Sequence, residues 1–209
     1  MNSTLLFTQP EFVEFPKIAR LNRECIITEK IDGTNACIYI GDDYTVRVGS
    51  RTKWITPEDD NHGFARWAHE HVNELMNLGP GTHFGEWWGS GIQRGYDLKK
   101  GEKRLSLFNV SRWCLYGTVP KVISQENPTA PAKYQQVLPH CVGLVPVLYR
   151  GLFTTEAASN ALEWLKANGS AASPGYMNPE GIVVYHTAAN CGFKVTVKND
   201  DKPKSKVHV

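Results

Sequence analysis

The stretch Thr28-Glu29-Lys30-Ile31-Asp32-Gly33-Thr34-Asn35 decides how the rest of the chain is read. It lies between residues 25–30 and 36–40, two runs that read as strands. A lysine at the end of a strand, followed by a glycine-containing turn, is held on a rigid element and presented at a bend. That placement suits a nucleophilic amine. Lys-x-Asp-Gly is also an ordinary turn, in which Asp and Gly supply the turn chemistry. The downstream residues separate these two possibilities.

Working outward, residues 44–49 form a third strand, entered through a hairpin-type turn at Gly41-Asp42-Asp43. Ser50-Arg51-Thr52-Lys53 comes directly at the strand end. Spacings of three and four among Phe64, Trp67, Ala68, His71, Val72, Leu75 and Met76 predict one helix over 63–78, stopped by Gly79-Pro80. His71 on that face reads as a packed core residue. Residues 82–88 predict a strand, and the glycine-rich run 89–96 a loop. Residues 104–110 read as a strand, which 113–116 extends or pairs with. Residues 117–140 form an excursion rich in Pro, Gln and Asn, with room for a short helix at 132–137.

Residues 142–148 are β-rich despite Pro146, which predicts an edge or a bulge there. A second helix is expected at 155–167, capped by Thr154, stopped by Gly169, and buried along Ala158, Ala161, Leu162 and Leu165. A loop at 170–178 and strands at 181–185 and 193–197 complete the pattern, and residues 1–23 are an irregular lead-in. The expectation is one α+β domain over residues 1–209, of mainly antiparallel sheets with flanking helices.

Composition bounds the function. The chain has 209 residues, 41% hydrophobic and 21% charged, as suits a globular protein with a substantial core. No run approaches the ~18 apolar residues of a membrane span, and the N-terminus lacks the marks of a signal peptide. Five scattered cysteines without a Cys-x-x-Cys pair indicate neither a disulfide framework nor a zinc site, and point to a reducing, cytosolic setting. The net charge of +2 does not announce a nucleic-acid binder. Basic clusters around Arg94, Lys99, Lys100, Lys103 and Arg104, and around Lys194 to Lys206, read equally well as solvated faces.

The chemistry rests on ordered elements. Lys30-Ile31-Asp32-Gly33 resembles the first signature of the covalent nucleotidyltransferase superfamily: ATP-dependent DNA ligases, RNA ligases and mRNA capping enzymes. The fuller string is most similar to the phage-type, RNA ligase 2-like branch. Ser50-Arg51, Phe84-Gly85-Glu86-Trp87, Leu107-Phe108-Asn109-Val110, Pro179-Glu180-Gly181-Ile182 and Phe193-Lys194-Val195-Thr196-Val197-Lys198 resemble the later signatures, in order. The match covers about residues 15–200, and six ordered elements are far more specific than one.

The residues fit that chemistry. An ordinary lysine, with a pKa of about 10.4, is almost fully charged at neutral pH, and attack on phosphorus needs the free amine. Nearby cations, a bound metal and desolvation would each free it. Lys194 and Lys198, four apart on a strand, share a face with Thr196 and are candidates for those cations; two exposed strand lysines are the plainer alternative. Glu180, at the start of an apolar strand, suits metal coordination beside a phosphate, or is a strand-edge acid. Phe108 could stack on adenine or fill the core. Arg51 could bind ribose or phosphate, or lie on the surface.

The resemblance implies more. Glu29 reads the base, Asn35 holds ribose or phosphate, Glu86 binds ribose hydroxyls, and Asp32 belongs to the same nucleotide-binding signature. It implies ATP and Mg²⁺ as cofactors, a lysyl-AMP intermediate on Lys30, and RNA 5′-phosphate and 3′-hydroxyl ends, nicked or bridged, as partners, in a cell's cytoplasm or a virus's host. Two departures stand out. Thr196 occupies the slot of the nearer terminal lysine, and Asn109 replaces a frequent Asp. Only residues 199–209 come after the last signature, so strand binding is expected from the core around Arg94, Lys99 and Lys202, or from a partner. A DNA ligase, a GTP-using capping enzyme, and a binding module without the full reaction are the alternatives.

Overall fold

β-branched residues and burial on both faces place Glu24–Lys30 (β1) inside a first sheet. Cys25 and Ile27 face one side, and Ile26 faces the other. The structure, a computed structural model, describes residues 11–113 and 138–198. The other strands are Thr34–Ile40 (β2), Val46–Gly49 (β3), Trp54–Ile55 (β4), Gly81–Gly89 (β5), Lys103–Leu107 (β6), Val142–Leu144 (β7), Val147–Leu152 (β8), Gly181–His186 (β9) and Cys191–Thr196 (β10). They form two sheets, ordered β10-β9-β1-β8 and β4-β3-β2-β5-β6-β7. Every pairing is antiparallel except β6 with β7.

Each sheet has one helix-covered face. Phe64–Glu70 (α1) and Val72–Leu75 (α2) cover the second sheet, where Phe64, Ala68 and Leu75 join Ile38, Ile40, Trp87 and Leu105. Val110–Trp113 (α3) is a short helix after β6, so the strand expected over 104–110 stops at Leu107. Thr155–Asn168 (α4) lays Ala157, Ala161 and Leu165 over Cys25, Ile27, Ile182 and Val184 of the first sheet. Thr154 caps it by accepting the Ala157 amide at 3.0 Å, and Gly169 ends it at φ 79°. The other two sheet faces look at each other. A smaller apolar cluster of Ile26, Ile31, Trp88, Tyr96, Val110 and Val145 closes one end between them.

The mainly antiparallel α+β architecture is as the sequence predicts, and two further details differ. The helix expected over 63–78 breaks at His71 (φ −104°, ψ 14°), and Met76–Leu78 finishes as a 3₁₀ turn. The His71 ring stacks on Trp67 at 4.8 Å, and its Nδ1 lies 2.8 Å from the Trp67 carbonyl. A side chain that engages the carbonyl four residues back loosens the helix there. Second, the run 142–148 is not one strand. It leaves the second sheet after Leu144 and enters the first at Val147. Pro146 has no N–H for a ladder, and its carbonyl instead takes the Glu29 amide at 2.9 Å.

The expected helix at 132–137 and Lys202 lie outside the described residues. Among the described residues no helix is long and apolar enough to cross a membrane. Cys25, Cys37, Cys141 and Cys191 are free thiols.

Candidate active site

A cavity of about 980 Å³ lies between the two facing sheets, a volume proper to a nucleotide-sized ligand. Seven of the residues singled out in the sequence line it: Glu29, Lys30, Asn35, Arg51, Glu86, Phe108 and Lys194. Strand register explains how they meet. Lys30 is the last residue of β1 and pairs with Gly181, the first of β9. Glu180 immediately precedes β9, so its side chain reaches Lys30, whose Nζ donates to Oε2 at 2.5 Å. Glu180 is 4% exposed, and the Val197 amide donates to its backbone carbonyl. Lys194 pairs with Val183, which pairs with Thr28, so all three share the cavity face.

The second sheet supplies the opposite wall. Asn35 pairs with Glu86 across β2 and β5. Glu86 accepts the Gly33 amide at 3.0 Å on Oε1 and the Asn35 side-chain amide at 3.5 Å on Oε2. Burial pushes the Glu86 carboxyl up to about 7, against the pull of the Gly33 amide and the Lys30 charge. Phe108 comes just after the end of β6, anchored by its amide to the Phe84 carbonyl at 2.9 Å, with its ring 43% exposed.

Gly33 acts by close approach. A Cβ there would fall 2.4 Å from the Trp87 carbonyl and 2.8 Å from the Trp88 Cβ. The glycine of Lys-x-Asp-Gly is thus required where the chain crosses from one sheet to the other against β5.

Three predicted residues fall outside the cavity lining. Asp32 turns away and accepts from Arg94 Nε at 2.8 Å. Lys198 lies two residues beyond the end of β10, where strand periodicity no longer places it, and donates to Asn178 Oδ1 at 3.3 Å. Glu180 reaches the site through Lys30. Glu29 lines the cavity, and its buried carboxylate accepts the Ala172 amide at 2.9 Å. Burial raises its pKa.

Arg94 as a tie within the site, and Tyr96, were not among the candidates. Arg94 also donates through Nη1 to the carbonyls of Asn178 at 2.9 Å and Pro179 at 3.5 Å. One guanidinium thus ties the residue two past Lys30 to the residues just before Glu180. The Tyr96 hydroxyl accepts the Asp32 amide at 2.8 Å, from a fully buried ring packed on Trp88 and Tyr176. Gln93, Tyr96 and Asp97 all have left-handed backbones, a cost that persists only where surroundings enforce it. The glycine-rich run was the visible signal; its partner across the fold was not.

On the lysyl-AMP chemistry that the resemblance implies, Arg94→Ala is expected to slow reaction at Lys30 on the order of tenfold or more, by letting the amine and Glu180 drift from their geometry; the rate of covalent AMP formation should fall more than the affinity for ATP.

Two facing sheets around a cavity of this size, with a lysine in its wall held by a buried glutamate, define a ligase-type core. The chain belongs to the RNA ligase family, whose model matches residues 23–199. No curated protein matches it. Among solved structures it is similar to the Naegleria gruberi RNA ligase. A glutamate-to-alanine mutant with ATP and Mn superposes with TM-score 0.54 at 17% identity, covering 91% of this chain and 58% of that one. A second such mutant, with AMP and Mn, gives 0.53 at 17%, covering 90% and 57%. A lysine-to-alanine mutant in the apo state gives 0.52 at 18%, covering 90% and 57%. The chain thus spans somewhat over half the length of the structures it matches.

Proposed function

We propose that this chain is an ATP-dependent RNA ligase that seals 5′-phosphate to 3′-hydroxyl ends through a lysyl-AMP intermediate, its two sheets acting as one adenylyltransferase domain. The observation that carries the reading is Lys30 Nζ, held 2.5 Å from Glu180 in the wall of the cavity. Lys30 Nζ attacks the α-phosphorus of ATP. A P–N bond forms, the bond to the bridging oxygen breaks, pyrophosphate leaves, and the amine loses its proton. An RNA 5′-phosphate oxygen then takes the AMP from the amine, breaking the P–N bond. A 3′-hydroxyl attacks the activated 5′-phosphorus, expels AMP and leaves a phosphodiester.

Attack needs the lone pair of Nζ, so its hydrogen bond to Glu180 is exchanged as ATP seats. Lys194 and Arg51 line the cavity where they can offset phosphate charge. Phe108 offers the adenine a face, and Asn35 and Glu86 offer the ribose polar partners. Among the described residues no cluster of three metal-ligating side chains is present. Mg²⁺ commonly takes one or two carboxylates with the substrate's phosphates, and Glu180 is the carboxylate beside Lys30. Glu180 would hold it, and the ion would neutralise phosphate charge. The free thiols suit a reducing, cytosolic compartment.

Incubation with α-labelled ATP, and separately with α-labelled GTP, tests the reading. Covalent label from ATP, passed on to 5′-phosphorylated RNA, is the expected result. No covalent label would overturn it.

The buried Glu86 carboxyl gives a pH signature in the nucleotide-free protein. Its folded pKa is about 7, raised from 4.5 by burial. The folded state therefore keeps a proton that the unfolded chain gives up, and stability falls as pH rises from about 4.5 to 7. Glu86→Gln retains an acceptor for Gly33 and carries no charge. It is expected to raise the melting temperature by several degrees at about pH 8, with the gain fading towards about pH 4.5. Thermal melts across that range check it.

A further inference from the structure

From the cavity, which Cys37, Thr82 and Phe84 still line, the same face of the second sheet runs on to its outer edge, where Tyr39 and Trp54 stand in solvent. Strand register places three rows on it. Asn35, Glu86 and Ser106 form the row at the cavity. Trp54, Gly49, Cys37 and Phe84 form the next, and Arg47, Tyr39 and Thr82 the third. The alternate positions Ala36, Ile38, Ile40 and Ile55 all lie in the helix-covered core, which fixes the face of the others.

Phe84 is 58% exposed, Trp54 54% and Tyr39 38%. A single exposed aromatic needs no explanation, but three on one sheet face beside a cavity do. The Tyr39 and Trp54 rings lie 6.2 Å apart, edge to face. A Cβ at Gly49 would fall 3.3 Å from the Trp54 ring, so the glycine lets the indole lie close against the sheet. From Trp54 on β4 to Phe84 on β5 is three strand spacings, roughly 14 Å, space for more than one base.

Arg47 pairs with Tyr39 across β3 and β2, Arg51 lines the cavity with Phe84, and among the described residues neither makes an ion pair. Asp43, the acid beside Arg47, is turned into its own loop by Thr45 at 3.0 and 2.8 Å. Lys53 is taken by Asp59. Arg94 is likewise engaged with Asp32, so the loop expected to bind the strand holds its arginine inward. Rings interrupted by guanidiniums and a threonine make a poor water-excluding patch for a protein partner. They suit a ligand that alternates flat bases with phosphates.

We propose that this face is a stacking platform for an unpaired RNA strand whose end enters the cavity, with Trp54 and Tyr39 meeting bases and Arg47 meeting phosphates. The proposal rests on the RNA ligase reading, which supplies the strand.

Fluorescence anisotropy of a labelled, 5′-phosphorylated single-stranded RNA of about 12 nucleotides, a length within the reach of such surfaces, tests it on the whole chain. Trp54→Ala and Tyr39→Ala should each weaken binding about tenfold, the scale of one lost base stack. Covalent AMP formation should be unchanged. Trp54→Phe, which keeps a flat ring, should retain most of the affinity. Intrinsic tryptophan fluorescence should be quenched by the RNA in the wild type and far less in Trp54→Phe.

Alanine variants that bind like the wild type overturn the platform, as does an equal loss for a blunt duplex. Should an alanine variant fold poorly, the quench in Trp54→Phe decides: a quench equal to the wild type's overturns the proposal. A wild type that forms no covalent AMP, while the alanine effects on binding hold, sinks the ligase reading and leaves the platform standing.

Discussion

Lys30→Ala is expected to abolish covalent labelling by α-labelled ATP altogether. The side chain has no understudy at that position. Lys194 lines the cavity from β10, and Lys198 points to Asn178. Neither stands at the strand end that Gly33 brings against β5. The variant should fold, because Lys30 is partly solvent-exposed and its loss opens no core cavity. It should also still bind ATP, through Arg51, Phe108 and the polar wall. Supplied with pre-adenylated RNA, it should recover much of the sealing reaction, since the step at the lysine has been bypassed. Labelling that survives the substitution would place the nucleophile elsewhere.

Glu180→Gln should carry the next largest effect. The carboxylate is buried, fixed through its backbone by the end of β10, and in contact with Nζ. The amide keeps the shape and removes the charge that orients the amine and would hold Mg²⁺. Loss of one preorganised electrostatic contact of this kind costs on the order of 10²–10³-fold in rate. Single-turnover formation of lysyl-AMP, measured against Mg²⁺ concentration, should show a slower maximum and a higher metal requirement. A variant as fast as the wild type would remove Glu180 from the chemistry.

How much of this was legible depended on distance along the chain. β1, its terminal lysine and the helix from Thr154 to Gly169 are local: alternation, a cap and a stop suffice. The meeting of Lys30 with Glu180, 150 residues apart, emerged only from the ordered signatures. Glu29 lines the cavity, and its bond to the Ala172 amide, 143 residues away, has no local signal in the sequence. Phe108 was expected inside a strand and lies just past its end, where the turn into α3 leaves its ring half exposed. Lys198 was placed by extending a strand that stops at Thr196. Arg94 could not have been assigned, because its partners come from two turns, 62 and 84 residues away.

Both passages of the chain between the sheets, 31–33 and 145–146, lie at one end, where the Glu29 amide near the end of β1 bonds the Pro146 carbonyl of the second. The walls are thus stitched along a single spine, and any widening must pivot there like the covers of a book. Lys30 sits next to that spine, whereas Trp54 rides on the far edge. An opening of that kind would part the walls most at the far edge and least at Lys30.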